Sequence, residues 1–137
     1  GINMTQDKST SFVEVRISKK HGNGLFVLKD FSSGERVYSF SKGRIVGQGG
    51  LKDLSAEEKM YLDKIGENTY EIIEPPARYT NHSCEPNIQE KERTGYALRD
   101  IKIGEELTIN YDEVAYLEKP FKCRCDSRRC RGLVRGK

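Results

Sequence analysis

The feature that most constrains this chain is the distribution of its four cysteines. Cys123, Cys125 and Cys130 lie in one short, arginine-rich segment, and Cys84 lies well upstream. Four thiolates complete a tetrahedral Zn²⁺ site, which is then structural because no position remains for a substrate. Two disulfides are the alternative, but they require an oxidising compartment. The spacing therefore favours zinc, and by itself it leaves open whether Cys84 is the fourth ligand.

The composition fits one modest, highly charged domain. The chain has 137 residues, of which 33% are charged and 35% hydrophobic. Its 24 Lys and Arg are nearly balanced by 21 Asp and Glu, so the net charge of +3 gives little support for nucleic-acid binding. We find no apolar run long enough to cross a bilayer and no signal-peptide pattern. We therefore expect a soluble, intracellular protein without a membrane partner.

Short strands dominate the pattern of apolar residues. Val13, Val15 and Ile17 alternate with charged residues, which is the period of a half-buried strand. Further strands are predicted at 25–28, 36–40, 69–73, 95–98 and 107–111, whereas 43–50 is glycine-rich and predicted as a loop. This pattern predicts a β-rich α+β fold.

Helices contribute little to the predicted structure. One helix is predicted to begin after Ser55, which forms a capping box with Glu58, and to end at Gly66. A single helical turn is predicted at 114–117, ahead of Pro120. The tail from 121 onwards is too rich in cysteine and arginine for ordinary secondary structure.

The run Asn81-His82-Ser83-Cys84 suggests a cysteine nucleophile with a histidine base. Residues two apart on an extended segment share a side, but they lie roughly 6–7 Å apart. No third group is evident that would orient the histidine. The nucleophile interpretation is therefore weakly supported by the residues alone.

Four blocks of the sequence resemble the motifs of SET-domain lysine methyltransferases. In chain order they are His21-Gly22-Asn23-Gly24-Leu25-Phe26, the ten residues from Arg78 to Asn87, the nine residues from Gly104 to Asp112, and the cysteine cluster continuing to Leu133. The blocks occur in the order and spacing of the family and span nearly the whole chain. Any one of them could arise by chance, but all four together are highly specific.

The resemblance implies a SET-domain fold of small β-sheets with a knot-like crossing and a zinc-bound C-terminal tail. In that crossing, the segment with Asn81 and His82 is threaded beside the one with Tyr111. The SET domain would span 12–117 and the post-SET zinc-binding segment 118–137. Residues 1–11 would be a flexible N-terminus, in which Gly1-Ile2-Asn3 is interpreted as an expression remnant. The resemblance also places Cys84 with Cys123, Cys125 and Cys130 on one structural Zn²⁺, which removes it as a nucleophile.

The implied reaction is methyl transfer from S-adenosylmethionine to the ε-amine of a lysine in a protein. Tyr111 matches the active-site tyrosine of the family, and its hydroxyl would help to orient the amine. A lysine has a pKa of about 10.4 in water, and an apolar channel lowers it so that the neutral amine can attack. Tyr38, Tyr70 and Tyr79 are further candidates for the wall of such a channel, and a core position is an equal alternative for each.

Binding of the donor is shared among several matched positions. The backbone of 23–25 would lie against the donor, Asn81 would bind its amino-acid end, and His82 would contact the adenine through its backbone. The expected donor-binding residues are Gly22, Asn23, Gly24, Leu25, Tyr79, Asn81, His82 and Tyr111. Ile109 stands where the family often has Phe or Tyr, which leaves the methylation state of the product open, and Asn110 replaces the usual Asp.

Two other functions remain as alternatives. The first is a catalytically inactive SET-like module that binds peptide, and the second is a zinc-stabilised nucleic-acid binder, suggested by the arginines of the tail. The expected partner is a protein with an accessible lysine, of which a histone tail is the first example, and a homodimer is a further option. A eukaryotic protein of this kind would act in the nucleus on chromatin, and a prokaryotic one in the cytoplasm.

Overall fold

Four small sheets make up most of the structure, a computed structural model that describes residues 12–117 and 119–137. The predicted flexible segment 1–11 lies outside the described residues. The strands are β1 (Val13–Ile17), β2 (Asn23–Val27), β3 (Arg36–Ser39), β4 (Arg44–Gly47), β5 (Leu62–Gly66), β6 (Thr69–Ile72), β7 (Asn81–His82), β8 (Ile88–Lys91), β9 (Thr94–Ala97), β10 (Glu106–Ile109), β11 (Phe121–Lys122) and β12 (Leu133–Val134). Two short helices, α1 (Ala56–Met60) and α2 (Tyr111–Val114), and 3₁₀ turns at Gln48–Asp53 and Ala77–Tyr79 complete the described part. The predicted β-rich α+β class is confirmed.

The sheet that positions the site has the strand order β1-β2-β10-β7. Its centre is the antiparallel pairing of β2 with β10, in which Leu25 lies opposite Leu107 and both are fully buried. On the other edge β7 runs parallel to β10, with Asn81 opposite Thr108. The segment carrying Asn81 thus lies beside the strand that leads to Tyr111, as the sequence resemblance implies.

The core lies between this sheet and the sheet β3-β9-β8. Its buried apolar side chains include Val27, Val37, Tyr38, Ile88 and Ile101. The third sheet, β4-β6-β5, contributes Tyr70 and Ile72. Within the described ranges, no helix has the length and apolar character needed to span a membrane.

The segment 43–66 differs from its predicted structure. The expected loop at 43–50 instead contains β4, because the apolar pair Ile45 and Val46 pairs with β6. The capping box of Ser55 and Glu58 is confirmed, but the helix ends at Met60. Residues 62–66, predicted as helix, form β5 because they pair along β6, a tertiary contact that outweighs the local helical pattern.

Two shorter elements also differ from prediction. The helical turn expected at 114–117 lies earlier, in α2, because the Asn110 side chain accepts the backbone N–H of Asp112 and caps the helix there. The tail, expected to lack regular structure, forms the short antiparallel pair β11-β12.

Candidate functional site

A cavity of about 1170 Å³ lies beside the end of β7 and the start of α2. Most of the predicted donor-binding residues line it, namely Gly22, Asn23, Tyr79, Asn81, His82 and Tyr111. Gly24 and Leu25 are not among the lining residues, and both are buried. The sheet therefore brings residues from three separate motifs to one cavity.

Tyr111 lies at the point where β10 passes into α2. Its hydroxyl donates to the carbonyl of Thr80 at 2.7 Å. Burial raises the pKa of the Tyr111 hydroxyl, so the group stays protonated at neutral pH. The ring lies near those of His82 and Phe121, with centroid distances of 5.4 and 6.2 Å. The tyrosine is thus fixed at both its ring and its hydroxyl.

The aromatic wall of the cavity differs in part from the expected one. Tyr79 lines the cavity and packs edge-on against Tyr61, with ring centroids 5.9 Å apart. Tyr38 and Tyr70 are buried and do not line the cavity. Tyr61 was missed as a wall residue because the helical pattern assigned it to the apolar face of a longer α1, whereas it caps the end of that helix.

Asn81 is held by three oxygen atoms. Its Nδ2 donates to the carbonyl of His21 at 3.1 Å, the carbonyl of Asn23 at 3.0 Å and the Glu106 carboxylate at 2.8 Å. An amide oxygen facing three oxygens would be repelled, so these contacts fix which end of the amide faces them. Asn81 therefore ties β7 to the 21–23 turn that forms another side of the cavity.

His82 connects Tyr111 with the cysteine cluster. Its Nδ1 accepts the backbone N–H of Tyr111 at 3.0 Å, so the proton of the neutral ring lies on Nε2. Nε2 lies 3.4 Å from Cys84 Sγ and donates to it. Burial lowers the pKa of His82, which favours this neutral form. A histidine that already donates to sulfur has no free nitrogen with which to act as a base.

The distance between His82 and Cys84 corrects one sequence-based expectation. The two side chains are in contact rather than roughly 6–7 Å apart, because the extended backbone of β7 ends at His82 and the chain bends at Cys84. The contact nevertheless does not create a nucleophile, since Cys84 faces three other sulfurs.

The four cysteine sulfurs lie within 4.8 Å of one another, and all four thiols are free. Cys84 Sγ and Cys123 Sγ are 3.7 Å apart, which suits a tetrahedral Zn²⁺ whose bonds of about 2.3 Å separate its sulfurs by about 3.8 Å. Burial raises the pKa of the Cys84 and Cys123 thiols, whereas hydrogen bonds outweigh burial at Cys125 and lower the pKa of its thiol to about 6. Negative charge on several adjacent sulfurs requires a cation between them. The donor set and its geometry fit zinc.

The tail is also anchored to α2 by Asp112. Its carboxylate accepts the backbone N–H groups of Arg135 and Gly136 at 2.8 and 2.9 Å, and the Arg131 guanidinium at 2.6 Å. The same guanidinium donates to the Asn110 side chain at 2.9 Å. Asn110, which departs from the family pattern, therefore joins in holding the tail against the helix that begins with Tyr111.

Comparison with known proteins agrees with this architecture. The SET domain family model matches residues 22–112. The trithorax histone-lysine N-methyltransferase of Drosophila virilis is 31% identical over 140 residues, which cover 88% of this chain and 4% of that protein. The H3 lysine-36 specific histone-lysine N-methyltransferase of Yarrowia lipolytica is 30% identical over 152 residues, covering 96% of this chain and 19% of that protein.

A human relative is similar over a comparable span. Histone-lysine N-methyltransferase 2B is 34% identical over 146 residues, covering 92% of this chain and 5% of that protein. The chain thus spans less than a fifth of the length of each of these three relatives. Since the family model matches more than half of the chain, the chain belongs to the SET domain family.

Proposed function

We propose that this chain is a protein-lysine N-methyltransferase that uses S-adenosylmethionine as its methyl donor. The observation that carries the proposal is the parallel pairing of β7 with β10, which brings Asn81 and His82 to the same cavity as Tyr111. The three relatives described above are named histone-lysine N-methyltransferases, which supports the same reaction.

The chemistry requires positioning rather than a covalent intermediate. When bound, the donor would supply an electrophilic methyl group on a sulfonium. The N–C bond to a neutral lysine amine would form in line as the methyl–sulfur bond breaks. The neutral thioether S-adenosylhomocysteine would leave, and the surplus proton of the methylated amine would pass to solvent. The protein therefore needs groups that orient and desolvate the amine, and it needs no nucleophile of its own. The absence of a free base at His82 is compatible with this role.

Tyr111 is the proposed catalytic residue. Its hydroxyl hydrogen is directed to Thr80 O, so the lone pairs of the phenolic oxygen remain available to accept an N–H of the substrate amine. The rings of Tyr61, Tyr79 and Phe121 add apolar surface to the cavity. An apolar surrounding disfavours the ammonium form of the incoming lysine and so lowers its pKa towards neutrality.

We assign one structural Zn²⁺ to Cys84, Cys123, Cys125 and Cys130. The metal would hold the tail in place, and the tail supplies Phe121, Lys122 and Cys123 to the cavity wall. The zinc site thus acts on methyl transfer only indirectly, by shaping the cavity.

The proposed substrate is a protein segment with an accessible lysine in a basic context, of which a histone tail is the first to test. The names of the three relatives support this choice, whereas the cavity wall carries both acidic and basic side chains and selects neither charge. If histones are the substrate, the site of action is chromatin.

Incubation of the purified chain with radiolabelled donor and a panel of basic proteins, including core histones, tests the proposal. We expect label on lysine, located by mass spectrometry of the modified protein. Binding of donor without transfer to any protein of the panel or of a cell extract would instead support the peptide-binding module. A chain that binds neither donor nor peptide overturns the proposal.

A further inference from the structure

The carboxylate of Glu106 lies beside the donor-binding residues without being one of them. Glu106 is in β10 and does not line the large cavity. Its Oε2 accepts the Asn81 amide at 2.8 Å, and both of its oxygens lie within 2.9 Å of Ser18 Oγ. Among the ion pairs of the described residues, none involves Glu106. The carboxylate is therefore held by neutral donors only.

Ser18 connects this carboxylate to the turn that forms one side of the cavity. Its Oγ accepts the backbone N–H of Lys20 at 2.9 Å, and its own backbone N–H donates to the carbonyl of Gly22 at 2.7 Å. Asn81 in turn binds the carbonyls of His21 and Asn23. Glu106 thus bonds to both Ser18 and Asn81, and each of these two side chains also bonds to the backbone of the 18–23 turn.

Gly24 provides the space that this arrangement needs. A Cβ on Gly24 would overlap Glu106 Oε2 and would come within 2.9 Å of Ser18 Cβ. The second glycine of the Gly-x-Gly turn therefore makes room for the Glu106 carboxylate. Gly24 itself does not line the cavity, so its small size serves the network behind the wall.

The contacts of Nδ2 determine what the other end of the Asn81 amide can do. Asn81 lines the cavity, and no hydrogen bond to its Oδ1 is formed by the residues that the structure describes. Oδ1 is not among the fully buried, unpaired polar atoms of that part of the chain, so it keeps some exposed surface on a residue that is 8% exposed overall. An accessible, correctly oriented amide oxygen is an acceptor for a ligand N–H, such as that of an α-ammonium group.

We infer that Glu106 is a positioning residue for the methyl donor: it fixes the Asn81 amide so that Oδ1 faces the cavity and accepts from the ammonium group of the donor. This inference rests on the proposed function. Without the carboxylate, Nδ2 loses its shortest contact and keeps only the longer ones to the carbonyls of His21 and Asn23, so the amide is held less tightly. The negative charge behind the amide also strengthens the bond that it accepts.

A double-mutant cycle on donor affinity tests the inference, with S-adenosylhomocysteine as the probe in calorimetry. Glu106→Ala removes the acceptor and should weaken binding about tenfold or more, since hydrogen bonds to charged groups are the stronger ones. Glu106→Gln retains one oxygen for Asn81 Nδ2 and should recover most of that loss. In an Asn81→Ala background, Glu106→Ala should have no further effect.

Two results would overturn the inference. One is an equal loss of affinity from Glu106→Ala with and without Asn81, which would show an effect that does not pass through the amide. The other is wild-type affinity in Glu106→Ala. Melting temperatures of all four proteins of the cycle identify any variant that fails to fold. If Glu106→Ala is such a variant, Ser18→Ala takes its place in the cycle. Because Ser18→Ala keeps the contact between Glu106 and Asn81, its expected loss of donor affinity is smaller.

A second readout does not depend on donor binding and separates this inference from the proposed function. The side-chain NH₂ of Asn81 should give slowly exchanging NMR signals in the parent chain and in Glu106→Gln, and rapidly exchanging ones in Glu106→Ala. A parent chain that binds no S-adenosylhomocysteine refutes the proposed function, while the exchange rates still decide whether Glu106 fixes the amide. Equal exchange in all three proteins refutes the role of Glu106.

Discussion

The Tyr111 hydroxyl donates to the carbonyl of Thr80, the residue that directly precedes β7, across 2.7 Å. This bond joins the side chain at the end of β10 to the start of the neighbouring parallel strand. The hydroxyl hydrogen is thereby committed to the protein, and only the oxygen lone pairs remain for a substrate. The contact fixes the orientation of the hydroxyl of Tyr111, the proposed catalytic residue, before any ligand binds.

Tyr111→Phe tests the role of this oriented hydroxyl. The substitution keeps the ring packing on His82 and removes the acceptor, so we expect the rate of methyl transfer to fall about 100-fold, as for a misplaced reacting group. Affinity for the donor should change little. Single-turnover rates and calorimetry measure the two effects. Tyr96→Phe, on a half-exposed ring in β9, is the matched control and should behave as the parent. A Tyr111→Phe variant as active as the parent would refute the assignment.

His82→Phe tests the link between the tyrosine and the cysteine cluster. It keeps an aromatic ring but leaves the backbone N–H of Tyr111 without its acceptor. It also removes the Nε2–H donor of Cys84 Sγ, which keeps its contacts with the Arg131 backbone N–H and Cys123 Sγ. We expect a loss of about 1–3 kcal/mol in the free energy of unfolding, which is the cost of an unpaired buried group. Urea denaturation measures it. The same change at the exposed His21 should cost less than about 0.5 kcal/mol, and equal costs at both positions would contradict the link.

Metal analysis tests the cysteine cluster. The reduced, purified chain should carry about one zinc per molecule, as four sulfur ligands require. Cys130→Ser should lose the metal, melt at a lower temperature and bind donor more weakly, because the tail supplies part of the cavity wall. Arg128→Ala, an exposed neighbour in the same segment, should retain the metal. Metal-free protein with two disulfides would disprove the zinc assignment.

The buried pair of Glu71 and Arg93 should give stability a characteristic pH dependence. Two hydrogen bonds from Arg93 hold the pKa of the Glu71 carboxyl below its ordinary value, and Glu71 also accepts the backbone N–H of Gly43 at 2.7 Å. Glu71→Gln should cost about 3 kcal/mol at pH 7, the lower end of the range for a broken buried pair, since Arg93 is partly exposed.

The sign of that dependence follows from the lowered pKa. A carboxyl that is more acidic in the folded state contributes its full stability above the unfolded value of about 4.3, and it loses that contribution as the pH falls through the folded value. The gap between parent and Glu71→Gln should therefore be constant from pH 7 to 5 and shrink below 4. Urea denaturation across this range measures it. Glu14→Gln, at an exposed pair with Arg16, should cost less than about 1 kcal/mol. A gap that is unchanged at pH 3 would contradict the prediction.

Sequence reasoning predicted the parts of the site that are carried by local motifs. The pairing of the Asn81 segment with the strand before Tyr111 follows from the resemblance, and the capping box at Ser55 follows from residue spacing. The secondary structure of residues 62–66 could not be predicted in this way, because they form a strand only by pairing with β6 and not through their own apolar pattern. Only contacts formed in the folded chain determine whether this segment is helix or strand.

Glu106 illustrates the same limit within the site. In the sequence it is one of two adjacent glutamates at the start of a strand, a position typical of a solvated side chain. Its partners, Ser18 and Asn81, come from two distant parts of the chain, and the space that it occupies depends on Gly24 in β2. No local pattern indicates that these groups meet.

The central position of β10 has a consequence for folding. Ser18 and Glu106 are 88 positions apart, and β10 must insert between β2 and β7 before either flank of the cavity is complete. Contacts of such long sequence separation form slowly, because the entropy of closing the intervening loop is lost before the contacts compensate for it. During synthesis, β7 therefore leaves the ribosome without its partner, and a nascent chain that ends before β10 has an incomplete cavity. Competence to bind the donor should arise in a single late step, when β10 docks.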